Sequence, residues 1–287
     1  GMSKYDVPMA LRIFTKKIEE FSSMPERTQQ GWIDMQLFMK MLRNKKIGLR
    51  HNEHLMVKPV KGKETKFIID ETTPISYYGN SQGSVIGGGY FSSSLELSHG
   101  VLGVPGCPFS LLLSRSKDFA PYHLAMKFQI WNALDLRIYL SLMQNLWDSA
   151  ESGGWLTNIV RPPNFDDDND ISSSKYQYPK KHVLLQAALG DAQVTTVAAE
   201  FMARTLKAST IHPETRYVFD VPERHAPWNV DISSGSKSGS NNALVEWLYD
   251  DAPPVRRDRD LPPADGKDTH ECPRRESRAQ AQLIHFL

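Results

Sequence analysis

The stretch Ile75-Ser76-Tyr77-Tyr78-Gly79-Asn80-Ser81-Gln82-Gly83-Ser84-Val85 decides how the rest of the chain is read. Its first part, Ile75 to Tyr78, is a short β-prone run. Its last part is small-residued and continues through Val85, Ile86, Tyr90 and Phe91 as a helix. Between them stands Gly79-Asn80-Ser81-Gln82-Gly83, a G-x-S-x-G pattern. A serine on a sharp strand-to-helix turn holds its hydroxyl free at the C-terminal edge of a sheet. Glycines at Gly79 and Gly83 let neighbouring backbone pass without a Cβ clash, and the backbone N–H of Gln82 at the helix start suits an oxyanion. Roughly one chain in fifteen of this length would carry the pattern by chance, so its weight comes from the strand before it and the helix after it.

Downstream, Gly100 to Val104 reads as a buried strand ending in Pro105-Gly106, and His182 to Leu189 as the strongest buried strand of the chain, ended by Gly190-Asp191. Between them, 107–180 reads as a helical insert, with helical periodicity at Leu111 to Leu113, Leu124 to Trp131 and Leu134 to Trp147. The acidic tract Asp166 to Asp170 and the serines Ser172 to Ser174 mark an exposed loop. Val194 to Leu206 is a predicted helix with Val197, Ala198, Phe201 and Leu206 on one face. Residues 209–242 read as loops, with Ser234 to Asn242 the loosest part; Ala243 to Tyr249 reads as the last strand and Arg275 to Leu287 as a closing helix.

Upstream, Val7, Leu11, Phe14, Ile18 and Phe21 define one amphipathic helix face. Pro25 is expected to break the helix, and a second one, Glu26 to Arg43, to turn Trp32, Met35, Met39 and Leu42 inward as core packing. His54 to Val60 and Thr65 to Asp70 form a hairpin pattern across Lys61-Gly62-Lys63. The lysines Lys45, Lys46, Lys58, Lys61 and Lys63 read as a solvated face. Strands alternating with helices predict an α/β fold: a mostly parallel sheet flanked by helices, with a helical cap insertion. Three parts follow: 1–106, N-terminal helices and the first part of the core; 107–180, the cap; 181–287, the rest of the core.

Two further residues fit the chemistry of a serine nucleophile. Asp191 follows a strand directly; taken alone it is a helix cap. His270 lies in a loop after the last predicted strand. Ser81, Asp191 and His270 thus come in the order nucleophile, acid, base, each just past the end of a strand, where open α/β sheets gather their sites. His270 would take the proton of Ser81, and Asp191 would orient the imidazolium.

The composition narrows the alternatives. With 34 Lys and Arg against 33 Asp and Glu in 287 residues, a net charge of +1 gives no reason to expect a nucleic-acid partner. No apolar stretch is long enough to span a bilayer, and the start carries no secretion signal, which makes the cytoplasm the default location. The two cysteines, Cys107 and Cys272, make neither a disulfide framework nor a zinc site and are expected as free thiols. No metal-ligating cluster and no cofactor motif is legible.

The chain resembles the α/β-hydrolase superfamily, and more narrowly a group of bacterial-type hydrolase-like proteins. The shared segments are Tyr77 to Gly83 (YYGNSQG), Gly100 to Gly106 (GVLGVPG), Ser110 to Ser116, Leu184 to Thr195, Ala198 to Leu206 and Asp268 to Arg274. The resemblance implies an esterase-like enzyme for a small-molecule ester, with nucleophile Ser81, acid Asp191 and base His270. It also implies an N-terminal truncation: Gly1-Met2-Ser3 resembles the loop after the fourth strand of the superfamily's sheet. The loop that supplies a second oxyanion donor would then be missing. The strand before Ser81 would be an edge that 53–70, an N-terminal segment or a second copy of the chain must cover. The competing expectation is a non-catalytic, truncated hydrolase-fold module for binding or assembly.

Overall fold

The computed structural model describes residues 6–43, 54, 56–57, 66–67, 74–163, 178–225, 242–252 and 266–287. The expectations for 166–170, 172–174, 234–241 and the five lysines lie outside these residues. Six strands form one sheet: β1 (Ser76–Asn80), β2 (His99–Gly103), β3 (His182–Ala188), β4 (Ser209–Ile211), β5 (Glu223–Arg224) and β6 (Ala243–Trp247). Their spatial order is β1-β2-β3-β6-β4-β5, and every neighbouring pair is parallel. All strands therefore end at one rim. The register places Asn80 beside Gly103 and Gly103 beside Gln186. β3, in the middle, is buried along its whole length, which is why it reads as an unbroken apolar run rather than an alternating one.

Helices cover both faces. On one, Leu102, Val183, Leu185 and Leu244 meet Phe91 of α4 (Gly87–Ser93), Ile159 of α8 (Thr157–Val160) and Met202 of α9 (Thr196–Thr205). On the other, Val101, Leu184 and Ala243 pack against Leu283 and Phe286 of α11 (Ser277–Phe286). Val101 and Leu102 part to opposite sides, as the two-residue period of a strand requires. The face of α9 differs from expectation. Ala198, Ala199, Met202 and Ala203 are buried and Phe201 is exposed, because the small residues let the helix lie close on the sheet while a phenyl ring would hold it off.

A separate apolar layer joins α1 (Asp6–Lys16) to α5 (Phe109–Arg115), α6 (Ala120–Gln129) and α7 (Ala133–Trp147) through Ile13, Phe14, Phe21, Phe109, Tyr122, Met126, Leu140 and Trp147. It spans the position 107 at which the sequence divides. The helix α2 (Ser23–Arg43) starts earlier than expected, and the break falls at 17–22. Pro25 sits in its first turn, where the missing N–H is no loss. Of the four residues expected inward, Trp32 and Leu42 are buried, Met39 is half-buried and Met35 is exposed. Trp32 marks the contact face: its ring lies on Gly89 and meets Trp155 edge-on, while Met35, one turn further on, stays exposed at the margin of that face.

β4 and β5, three and two residues long, fall in a stretch that reads as loop; runs so short carry no detectable period. β1 is an edge strand, and among the described residues it pairs with β2 alone. Met56–Val57 and Lys66–Phe67 pair antiparallel, as the hairpin pattern predicts, in a sheet of their own rather than along β1. Among the described residues no helix is long and apolar enough to cross a membrane.

Candidate active site

The site starts with the turn between β1 and the short helix α3 (Gln82–Val85). Ser81 has φ 56° and ψ −123°, a conformation that L-residues rarely adopt. The Ser81 N–H donates to Gly103 O (2.9 Å), and Ser84 Oγ donates to Ser81 O (2.6 Å), so the strain is held from both sides. A Cβ on Gly79 would lie 2.1 Å from Gly83 O, which is why position 79 needs glycine. Gly83 differs from expectation: a Cβ there meets nothing within 4 Å, and its part in the turn is its carbonyl, which accepts from Tyr77 Oη at 2.6 Å. Burial pushes the Tyr77 phenol up to about 12, so it stays a donor.

Asp191 and His270 come from loops beyond the ends of β3 and β6. His270 Nε2 lies 2.8 Å from Ser81 Oγ, and His270 Nδ1 lies 2.7 Å from Asp191 Oδ2. A carboxylate at Nδ1 selects the tautomer that donates there, leaving Nε2 to accept from the serine hydroxyl. The acid and the imidazole are both buried. Asp191 also caps its own loop: Oδ1 accepts the N–H groups of Gln193 and Val194, each at 2.8 Å. One carboxylate thus does both jobs that the sequence sets against each other. Burial opposes charge on His270, but Asp191, with Asp268 and Glu271 behind it, outweighs burial and holds the imidazole above its ordinary value. Burial likewise raises the Asp191 carboxyl against these hydrogen bonds.

The sequence reading missed Asp268. Its Oδ1 accepts from Ala192 N (3.1 Å) and His270 N (3.2 Å), and its Oδ2 from Gln193 Nε2 (3.0 Å) and from Lys117 Nζ, with which it pairs closely. It therefore ties the loop of Asp191, the loop of His270 and the residue between α5 and α6 together. Thr269 Oγ1 adds a bond to Leu189 O at 2.8 Å. Burial works against Asp268's charge, but these donors outweigh it and hold the carboxyl at about 2. Its place two residues before His270 was the available signal.

Beside the elbow lies a cavity of 410 Å³ between α1, α2, α5 and α6, with Gln82 and Ile86 in its wall. Cys107 and Cys272 are free thiols, as expected. One grouping of side chains is not visible in the sequence. At the far edge of the sheet His212, Glu223 and His225 stand together on the surface, with one ligand atom of each within 4.8 Å of the others. The parallel pairing of β4 with β5 makes them neighbours, which a linear reading cannot see. No family model, curated protein or solved structure matches the chain.

Proposed function

We propose that the protein is a serine hydrolase of the α/β-hydrolase type that cleaves an ester, less readily an amide, through an acyl-enzyme on Ser81. The observation that carries this is the unbroken line Ser81 Oγ, His270 Nε2, His270 Nδ1, Asp191 Oδ2, at 2.8 and 2.7 Å, ending on a strained serine. Ser81 Oγ attacks the acyl carbonyl carbon as its proton passes to His270 Nε2. The N–H of Gln82 lies beside the developing oxyanion. Collapse breaks the C–O bond, and the leaving alkoxide takes the proton from His270 as an alcohol. Water then gives a proton to His270, attacks the acyl-enzyme, and Ser81 leaves with that proton restored. Asp191 stays ionised and stabilises the imidazolium in both half-reactions. α5 to α7 act as the cap, joined to the loop of His270 by Lys117 and Asp268.

A fluorophosphonate probe tests the reading. Wild-type protein should be labelled at Ser81, and Ser81→Ala should not be labelled. Folded wild-type protein that resists the probe would instead favour a non-catalytic assembly module, the reading that β1, paired on one side only among the described residues, supports.

A further inference from the structure

We propose that the cavity beside the elbow is the acyl site, and that the substrates are esters of medium-chain fatty acids of about eight to twelve carbons. This rests on the hydrolase reading of Ser81 for the chemistry, but not for the binding.

Position is the first ground. Gln82, which follows the nucleophile, and Ile86, one helical turn on, both line the cavity. An acyl group on Ser81 would pass Gln82 to enter this space, which is larger than the second cavity that Gln82 and Ile86 also line. Chemistry is the second. The wall is aliphatic and aromatic, made chiefly by Ile13, Phe14, Trp32, Phe109, Tyr122 and Trp147. Phe109 stacks on Trp147 with centroids 4.4 Å apart, which gives a flat, rigid floor. The polar side chains of the wall are few: Thr28, whose hydroxyl donates to Met24 O, Arg27 and Gln82, both exposed residues, and the Tyr122 phenol. A sugar, nucleotide or peptide would bring hydrogen-bonding groups that such a wall leaves unpaired, at a cost for each. A hydrocarbon chain brings none.

Size is the third ground. A volume of 410 Å³ lies within the range of small-molecule sites. A methylene fills about the volume of a water, ~30 Å³, so the cavity takes about a dozen such groups. Longer chains would extend into solvent and gain nothing further.

The binding claim is tested on Ser81→Ala protein, which cannot turn a substrate over, titrated with sodium butanoate, hexanoate, octanoate, decanoate and hexadecanoate. Trp32 and Trp147 in the wall make tryptophan fluorescence the readout. Affinity should rise about three- to fourfold for each added methylene and level off beyond about twelve carbons. Gly31→Phe is the plug. Gly31 lines the cavity, and a Cβ there meets nothing within 4 Å, so a side chain at this position starts in open space. It should weaken decanoate at least tenfold, with the loss growing with chain length; Gly31→Leu should act the same way to a smaller degree. Affinity that is flat with chain length, or decanoate affinity unchanged by a folded Gly31→Phe, overturns the proposal. The two claims fail separately. Fluorophosphonate labelling without fatty-acid binding removes the acyl site and keeps the hydrolase; binding without labelling does the reverse.

Discussion

The rim at the ends of β1 and β3 and the helical layer of α1, α5, α6 and α7 are built by different forces. At the rim each side chain is placed by directional bonds: Ser81 to His270, His270 to Asp191, Asp191 to two N–H groups, and Asp268 to donors from three segments. Such bonds weaken steeply with angle, so each position has one geometry. The helical layer is held by apolar contact, which has no direction and tolerates rearrangement. It even leaves large apolar groups in water, with Leu124, Phe128, Trp131, Leu134 and Ile138 exposed along α6, α7 and their connection. Among the described residues its deeply buried carboxyl is Glu151, fully enclosed, accepting from Phe109 N (2.9 Å) and Gln144 Nε2 (2.6 Å). The comparison teaches that directional bonds fix the rim to one geometry, while apolar contact only fills the helical layer.

The sharpest break is at His270. His270→Ala should lower kcat/KM on a p-nitrophenyl ester by roughly 10⁴ to 10⁶ fold, with the far-UV circular dichroism unchanged; a loss under tenfold would mean that the rim is not a reaction centre. Next is the turn itself. Gly79→Ala drives a Cβ against backbone at Gly83, so it should cost about 3 kcal/mol of stability by urea unfolding.

Glu151 probes the other region. Burial pushes its carboxyl up to about 8, with Asp148 adding to this against the hydrogen bonds from Gln144 and Phe109. A carboxyl with a folded value above its unfolded one opposes folding increasingly from about pH 4.5, and no further above 8. Glu151→Gln should therefore stabilise by on the order of 2–4 kcal/mol at pH 8.5, with the gain shrinking toward pH 5. A gain independent of pH would refute the burial account.

Asp268→Asn has a smaller effect on rate. Loosening three segments should cost about ten- to a hundredfold in kcat. It also removes a negative charge that raises the His270 value. The imidazole must be neutral to act as base, so activity is lost as pH falls through that value. The acid limb should start above 6.5 in the wild type and move to lower pH in the variant. A merely structural role would reduce the rate and leave the limb in place. Smallest of all, Trp131→Ser, at a residue 87% exposed, should change stability by no more than about 0.5 kcal/mol.

Much of the rim was legible because chemistry imposes spacing. A glycine two before a serine, a strand before it and a helix after it leave a trace in the letters, as do an aspartate and a histidine that follow strands. Asp268 left a weaker trace, since its donors lie 76 positions away at Ala192 and 151 away at Lys117. The helical layer was legible as helices but not as faces. Met35 and Phe201 fit the apolar period of their helices and still stay exposed, while Trp32 and the alanines of α9 take the contact faces.

By itself, then, the sequence determined the element types over long periodic runs, the parallel class of the sheet, and three residues beyond strand ends whose side chains meet. The tertiary structure alone decided the strand order, the meeting of α1 with α5 to α7, the clamp on Asp268, the cavity beside Gln82 and the cluster at His212. Periodicity and turn chemistry act between residues near in sequence, and so are written along the chain. Cavities and cross-loop bonds form between segments that only folding brings together, and no local pattern encodes which ones will meet.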